Sequence, residues 1–112
     1  MIVIPMTNTT ALTTYEIVVE QLESVYDPEF PLIDIYTMGL IYDIAPDDAQ
    51  KIITISMTFT SPSCPAAELI ESMVRNAISE RLPTYVVDII IVRDPAWNYT
   101  MMKDDDLKRM FE

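Results

Sequence analysis

The sequence contains no histidine, one cysteine and one glycine. Without histidine, the chain lacks the commonest general base, the commonest zinc ligand and every Ser/His/Asp or Cys/His nucleophile arrangement. Glycine-rich phosphate loops need several glycines, so Gly39 alone argues against nucleotide binding. A single cysteine cannot form an intramolecular disulfide, and Cys64 is therefore expected to be a free thiol in a reducing compartment.

Basic residues are scarce as well. Seven Lys and Arg stand against 18 Asp and Glu, giving a formal net charge of −11. Proteins that bind nucleic acid need clustered Lys and Arg, so nucleic acid is not an expected partner. No apolar run approaches the roughly 20 residues of a membrane span, and residues 1–5 are too short for a signal-peptide core. We expect a cytoplasmic protein without a membrane partner.

A chain of 112 residues suits one domain with its own core. Half of the residues are hydrophobic and 22% are charged, which is typical of a folded chain rather than a disordered one. We predict a leading segment over residues 1–12, with a short strand at 2–4, and a single domain over 13–112. Either Met1 or Met6 can be the native start.

Three helices are predicted. Thr13 and Glu16 have the spacing of a capping box, which predicts a helix from Thr14 to about Val25, ended by Pro28 in a rigid turn. A second amphipathic helix is expected from Pro65 to about Leu82, and a short closing helix behind the acidic cap 104–106. The apolar stripe of the second helix comprises Ala66, Leu69, Ile70, Met73, Val74, Ala77 and Ile78.

Apolar and polar residues alternate over 40–44 and most clearly over 51–60, and residues 85–94 predict a last strand. Gly39 indicates a bulge or a positive φ before the first of these strands. The order of elements predicts an α+β two-layer sandwich. Its small sheet has three to four strands, mixed or antiparallel, with an antiparallel 40–60 hairpin. Two main helices cover one face, and a short C-terminal helix follows.

The lone thiol lies between two prolines, where a strand gives way to a helix. If Cys64 is the N-cap and Pro65 the first helical residue, the helix dipole favours the thiolate. Carboxylates of Asp27 and Glu29, if close, favour the thiol instead, so the net effect stays open. The alternative is that Cys64 is a small buried hydrophobic residue at a helix start.

Three stretches, "SVYDPEFPLIDIYTMGLIYDI", "ITISMTFTSPSCPAAELI" and "DPAWNYTMMKDDDLKRMF", resemble the SufT/PaaD-like family of iron–sulfur cluster assembly domains. The hallmarks are an Asp-Pro-Glu turn, a Gly-Leu-Ile-Tyr strand start, a strand closing on a Cys-Pro turn and a Pro-x-Trp segment. They occur in the family's order and cover roughly residues 14 to 112. The chain departs from the family pattern at Ser63, where glycine is frequent, and at Thr37-Met38, where Asp-Leu is frequent.

The resemblance implies a non-catalytic factor that assembles iron–sulfur clusters or delivers them to client proteins. Its functional thiol is Cys64, supported by a turn that includes Asp27, Glu29, Thr60 and Ser63. Implied partners are scaffold or carrier proteins and client apoproteins, and a homodimer is compatible with the sequence. One thiol cannot supply the four ligands that a cluster normally takes. We therefore expect no stably bound cofactor, and at most a transient iron–sulfur cluster with Cys64 as one ligand.

Other interpretations stay open. The chain can be an accessory subunit of a multicomponent aromatic-ring oxygenase system, as the PaaD branch of the family implies. Those relatives carry a cysteine-rich C-terminal extension, and the sequence up to Glu112 contains no such extension, which weakens this alternative. A thiol enzyme working with carboxylates alone is a third class. For Asp27 and Glu29, the alternative to a functional role is that they only help to end the first helix around Pro28. Trp97 and its neighbours 99–102 form either a lid near Cys64 or an exposed contact patch.

Overall fold

The computed structural model describes residues 12–28, 30–60 and 66–110 of the chain. We number the elements in chain order. They are α1 (Thr14–Leu22), β1 (Tyr26–Asp27), β2 (Phe30–Asp34), β3 (Ile41–Asp47), β4 (Ile52–Met57), α2 (Ala67–Arg81), β5 (Val86–Ile91), a 3-10 turn (Tyr99–Met101) and α3 (Asp105–Met110). The predicted strand at 2–4 lies outside the described residues.

Helix α1 begins with the predicted capping box. The Thr13 hydroxyl accepts from the Glu16 N–H at 3.1 Å, and the Glu16 carboxylate accepts from the Thr13 N–H at 3.0 Å. The predicted end at Val25 was wrong, because the helix stops at Leu22. The Ser24 hydroxyl donates to the Gln21 carbonyl at 2.6 Å and closes the last turn well before Pro28.

A two-stranded antiparallel sheet replaces the predicted rigid turn. Strand β1 pairs with β2, with Tyr26 opposite Asp34 and Asp27 opposite Phe30. The Ile35 N–H also donates to the Val25 carbonyl at 2.9 Å. Because Pro28 lies between the two strands, it interrupts neither of them, and the hairpin was missed in a segment that reads as turn chemistry.

The main sheet has the order β3-β4-β5. Strand β4 pairs antiparallel with β3 and parallel with β5, so the predicted α+β class with a small mixed sheet is confirmed. The predicted alternation over 40–44 was wrong in detail, since the β3–β4 register shifts between Ile41 and Asp43. This bulge buries Ile41 and Ile44 together and leaves Tyr42 half-buried.

The core lies between the sheet and the two longer helices. Helix α2 contributes four buried residues at helical spacing, Ile70, Val74, Ala77 and Ile78. Leu69, predicted in the same stripe, is 53% exposed. Helix α2 was also predicted to start at Pro65, which would allow Cys64 to be its N-cap. It starts at Ala67 with Ala66 as N-cap, because the Ala66 carbonyl accepts the N–H of Ile70 at 2.9 Å.

The C-terminal part returns across the sheet edge and ends in α3. The Asp104 carboxylate accepts from the Asp106 N–H at 2.9 Å, which confirms the predicted acidic cap. Lys108 and Arg109 occupy the last turn of α3, as the helix dipole favours. None of the helices in the described part of the chain has the length and apolar character that a membrane crossing requires.

Asp48 joins three segments at the opposite edge of the sheet. Its carboxylate accepts from the Thr14 hydroxyl at 2.6 Å, at the start of α1. It also accepts from the Tyr85 hydroxyl at 2.6 Å, just before β5. These two hydrogen bonds hold the pKa of Asp48 below its ordinary value of 3.8, and nearby Lys51 acts in the same direction.

A carboxyl with a lowered folded-state pKa stabilises the fold above its unfolded pKa, and that stabilisation is lost as the pH falls toward the folded value. We therefore expect Asp48→Asn to lower the free energy of unfolding at pH 7. The difference from wild type should shrink as the pH falls below about 3.8. Urea titrations from pH 7 to pH 2 measure this. Asp88→Asn, on an exposed strand position, is the control, and equal effects of the two variants would contradict the assignment.

Candidate functional site

The carboxyl ends of β4 and β5 and the start of β3 meet at one edge of the sheet. The Thr58 N–H donates to the Leu40 carbonyl at 2.8 Å, and the Val92 N–H donates to the Met57 carbonyl at 2.8 Å. The end of β4 is thus hydrogen-bonded both to the residue before β3 and to the residue after β5. Residues 58–60 continue from this strand end, and Cys64 comes four residues later in the sequence, outside the described ranges.

Of the predicted site residues, Asp27, Thr60 and Trp97 lie in the described part of the chain. Glu29, Ser63 and Cys64 lie outside it, and their roles stay predictions. Thr60 is half-buried, and the two residues that precede it, Thr58 and Phe59, are buried. Because Ala66 is the N-cap of α2, Cys64 is not the N-cap, and the effect of the helix dipole on its thiol stays a prediction.

Asp27 is fully buried, although it carries an ionisable side chain. Its neighbour Tyr26 is 43% exposed, as the alternation of a strand requires. The interpretation of Asp27 as a helix-ending residue was wrong, since α1 ends at Leu22 and Asp27 belongs to β1. Carboxylates are seldom fully buried, so Asp27 is unusual among the acidic residues of the described chain.

Residues 94–103 form a segment, here called the C-terminal strap, that crosses the sheet edge. The Trp97 indole N–H donates to the Met38 carbonyl at 2.7 Å. The Tyr42 hydroxyl donates to the Pro95 carbonyl at 2.7 Å, and the Lys103 N–H donates to the Thr37 carbonyl at 2.8 Å. Trp97 is half-buried against the core. Three hydrogen bonds thus attach the strap to the chain before and within β3.

The strap is seated on the turn that links β2 to β3. Asp34 holds this turn, because its carboxylate accepts from the Thr37 N–H at 2.9 Å and from the Thr37 hydroxyl at 2.7 Å. Gly39 has a φ of +84°, as predicted. A β-carbon at Gly39 would lie 2.2 Å from the Met101 carbonyl oxygen. The glycine therefore serves both the turn and the close approach of the strap.

Two tyrosines beside the strap were not singled out from the sequence. Burial raises the pKa of Tyr42, although a hydrogen bond with Thr58 acts in the opposite direction. Burial also raises the pKa of Tyr36, and the neighbouring Tyr15 and Glu23 add to the increase. Both phenols stay neutral at physiological pH. Tyr42 belongs to the Gly-Leu-Ile-Tyr hallmark, and this was the only sequence signal that pointed to a tyrosine beside the strap.

The donor set of the chain limits metal chemistry. In the described ranges, no three side chains of the cysteine, aspartate or glutamate type come together as a metal site. Over the whole sequence there is one cysteine and no histidine. Iron–sulfur clusters are held mainly by cysteine thiolates. The chain by itself therefore supplies at most one of the thiolates that such a cluster usually takes.

Comparison with known proteins gives consistent results. A Porphyromonas gingivalis protein named Fe-S protein maturation auxiliary factor is 38% identical over 98 residues, 88% of this chain and 91% of that protein. An Escherichia coli protein, named as a putative component of 1,2-phenylacetyl-CoA epoxidase, is 28% identical over 81% of this chain and 53% of its own length.

The fold has solved counterparts. A crystal structure of a domain of unknown function, DUF59, from Bacillus anthracis superposes with a TM-score of 0.74 at 33% identity. The match covers 84% of this chain and 87% of that one. Residues 16–91 match the family described as iron-sulfur cluster assembly protein. The matched range includes Cys64, the buried Asp27 and the turn at Gly39, and it covers more than half of the sequence. The chain therefore belongs to the iron–sulfur cluster assembly protein family.

Proposed function

We propose that this protein is a non-catalytic maturation factor that helps to deliver iron–sulfur clusters to client apoproteins, with Cys64 as a transient ligand or contact. The observation that carries the proposal is the family match over residues 16–91. The name of the Porphyromonas gingivalis relative, Fe-S protein maturation auxiliary factor, supports a role in the maturation of client proteins. The proposed partners are cluster scaffolds or carriers and the apoproteins that receive the cluster.

The sequence limits how Cys64 can act. Since the chain has a single cysteine and no histidine, it cannot complete the usual set of four cluster ligands alone. A cluster in transit would be shared between Cys64 and thiolates of the donor or the client. Such sharing makes the contact reversible, which suits a carrier role better than storage. The chain also lacks a second thiol that would resolve a mixed disulfide.

The test uses a strain that lacks the gene and an endogenous iron–sulfur enzyme as client. Wild-type protein is expected to restore the iron content and activity of the client. Cys64→Ser should fail to restore them, because a hydroxyl is a poor ligand for iron in place of a thiolate. Iron per purified client and client activity are the measurements.

Ser61→Ala is the matched control, since it changes the same segment without touching the thiol. It should restore the client as well as wild type does. Circular dichroism must show that Cys64→Ser is folded and present at the wild-type level. Full restoration by folded Cys64→Ser would overturn the role of the thiol and leave a docking role for the surface around Trp97.

A second candidate is an accessory component of a multicomponent oxygenase system. The similarity to the Escherichia coli epoxidase component favours it, although the match spans 53% of that protein. Affinity purification of this chain from its own cells distinguishes the two. Oxygenase components at a fixed ratio would favour the second candidate, and scaffold or client iron–sulfur proteins would favour the first.

A further inference from the structure

An open groove runs between α1 and the turn before β3. One part of it is a depression of about 300 Å³, and a second of about 110 Å³ continues along β3. Both parts are lined by Tyr15 and Tyr36, and the second also by Tyr42 and Lys103. We call these four residues and the space between them the tyrosine groove. It lies beside the strap and apart from the segment of Cys64 in sequence.

A cation already lies on one ring of the tyrosine groove. The Lys103 ammonium is 4.8 Å from the centroid of the Tyr36 ring. The negative face of an aromatic ring attracts cations at this distance. Lys103 is exposed, and its side chain is long and flexible, so an incoming cation can displace it from the ring. The groove therefore presents an aromatic face suited to a positive group.

The charges around the groove favour the same kind of ligand. Glu16 lines its first part and Asp43 its second, and both are exposed. Glu20 also lines the first part, but its carboxylate is ion-paired with Arg81. Lys103 is the one cation among the described residues that line either part. The chain as a whole carries a formal charge of −11. A positively charged segment would thus be attracted over a distance and then held by the rings.

We propose that the tyrosine groove docks an extended, arginine-bearing segment of a partner protein, with a guanidinium stacked on Tyr36 in place of Lys103. Arginine fits better than lysine, because its planar guanidinium stacks on aromatic faces and forms paired hydrogen bonds with carboxylates. The carboxylate of Asp43 supplies such an acceptor, and Glu16 offers the oxygen that its capping box with Thr13 leaves over. The proposal concerns docking only and does not depend on the thiol of Cys64.

The test measures the fluorescence anisotropy of a labelled peptide of alternating glycine and arginine. The control peptide carries neutral citrulline in place of each arginine. The arginine peptide should bind wild type and the citrulline peptide should not. Tyr36→Leu should weaken binding about two- to fivefold, the range of an exposed cation–π contact, whereas Tyr36→Phe should retain it. Tyr26→Leu, at an exposed tyrosine outside the groove, should have no effect.

Lys103→Ala gives an independent arm, because it uncovers the Tyr36 ring and leaves the three tyrosines of the groove in place. Binding should strengthen, and by more than in Lys108→Ala, which removes the same charge from α3. Circular dichroism checks the fold of each variant. Equal effects of Lys103→Ala and Lys108→Ala, or equal binding by Tyr36→Leu and wild type, would reduce the interaction to diffuse charge attraction and overturn the proposal. Absence of arginine-peptide binding to wild type would overturn it directly.

Discussion

Gly39→Ala is expected to lower the free energy of unfolding by about 2–4 kcal/mol. Two costs add at this position. The φ of +84° lies where side chains with a β-carbon are strained. The new methyl group would also lie 2.2 Å from the Met101 carbonyl oxygen, a backbone atom that no change of rotamer can move.

The measurement is a urea titration of wild type and variant. We expect the midpoint to fall while the slope stays constant, as in a loss of stability without a change of the unfolded state. Lys51→Ala is the control, since Lys51 already adopts a φ of 59° with a β-carbon. That variant should lose no more than the cation–π contact of Lys51 with Tyr85, about 0.5–1 kcal/mol. A loss below about 1 kcal/mol for Gly39→Ala would mean that the strap moves away at little cost.

The sequence predicted those elements whose patterns are local. The capping box of Thr13 and Glu16 located the start of α1, and the alternation over β4 survived because one face of that strand is buried, at Ile53, Ile55 and Met57. The positive φ of Gly39 was likewise a local signal. Short-range chemistry decides each of these features, so a single sequence is sufficient to find them.

The features that were missed depend on contacts distant in sequence. The pairing of β1 with β2 and the bulge at Tyr42 are fixed by neighbours that no local pattern identifies. Tyr42 sits in the bulge so that its hydroxyl reaches the Pro95 carbonyl, 53 residues further along the sequence. At the candidate site, the family hallmarks pointed to Trp97, but its partner Met38 was a departure from the family pattern and gave no signal.

The strap and the turn at Gly39 form one structural unit, because three of the contacts between them involve the backbone of residues 37–39. Trp97 donates to Met38, Lys103 donates to Thr37, and the Met101 carbonyl lies over Gly39. A change that lifts the strap at one of these points therefore weakens the other two. Lys103 belongs to the strap, and its ammonium lies over the ring of Tyr36 next to the same turn. The position of the strap therefore also determines whether Lys103 reaches the tyrosine groove.

Trp97→Ala is expected to destabilise the protein by about 2–3 kcal/mol, somewhat less than a fully buried tryptophan would, because the ring is half-buried. Trp97→Phe keeps most of the apolar contact and removes the indole N–H that donates to Met38 at 2.7 Å. It should cost about 1 kcal/mol. Tyr99→Ala, on the same strap but 38% exposed, is the control and should cost less than either.

Because Trp97 is the single tryptophan of the chain, its fluorescence reports on the strap directly. In Gly39→Ala the emission should shift to longer wavelength under native conditions, since the ring becomes more exposed when the strap is lifted. Stability of the Trp97 variants is followed by circular dichroism instead. The double variant Gly39→Ala/Trp97→Ala should be more stable than the sum of the single losses predicts, because both remove the same contacts. Strict additivity would show that Trp97 and Gly39 stabilise the fold independently, and that the strap does not act as one unit.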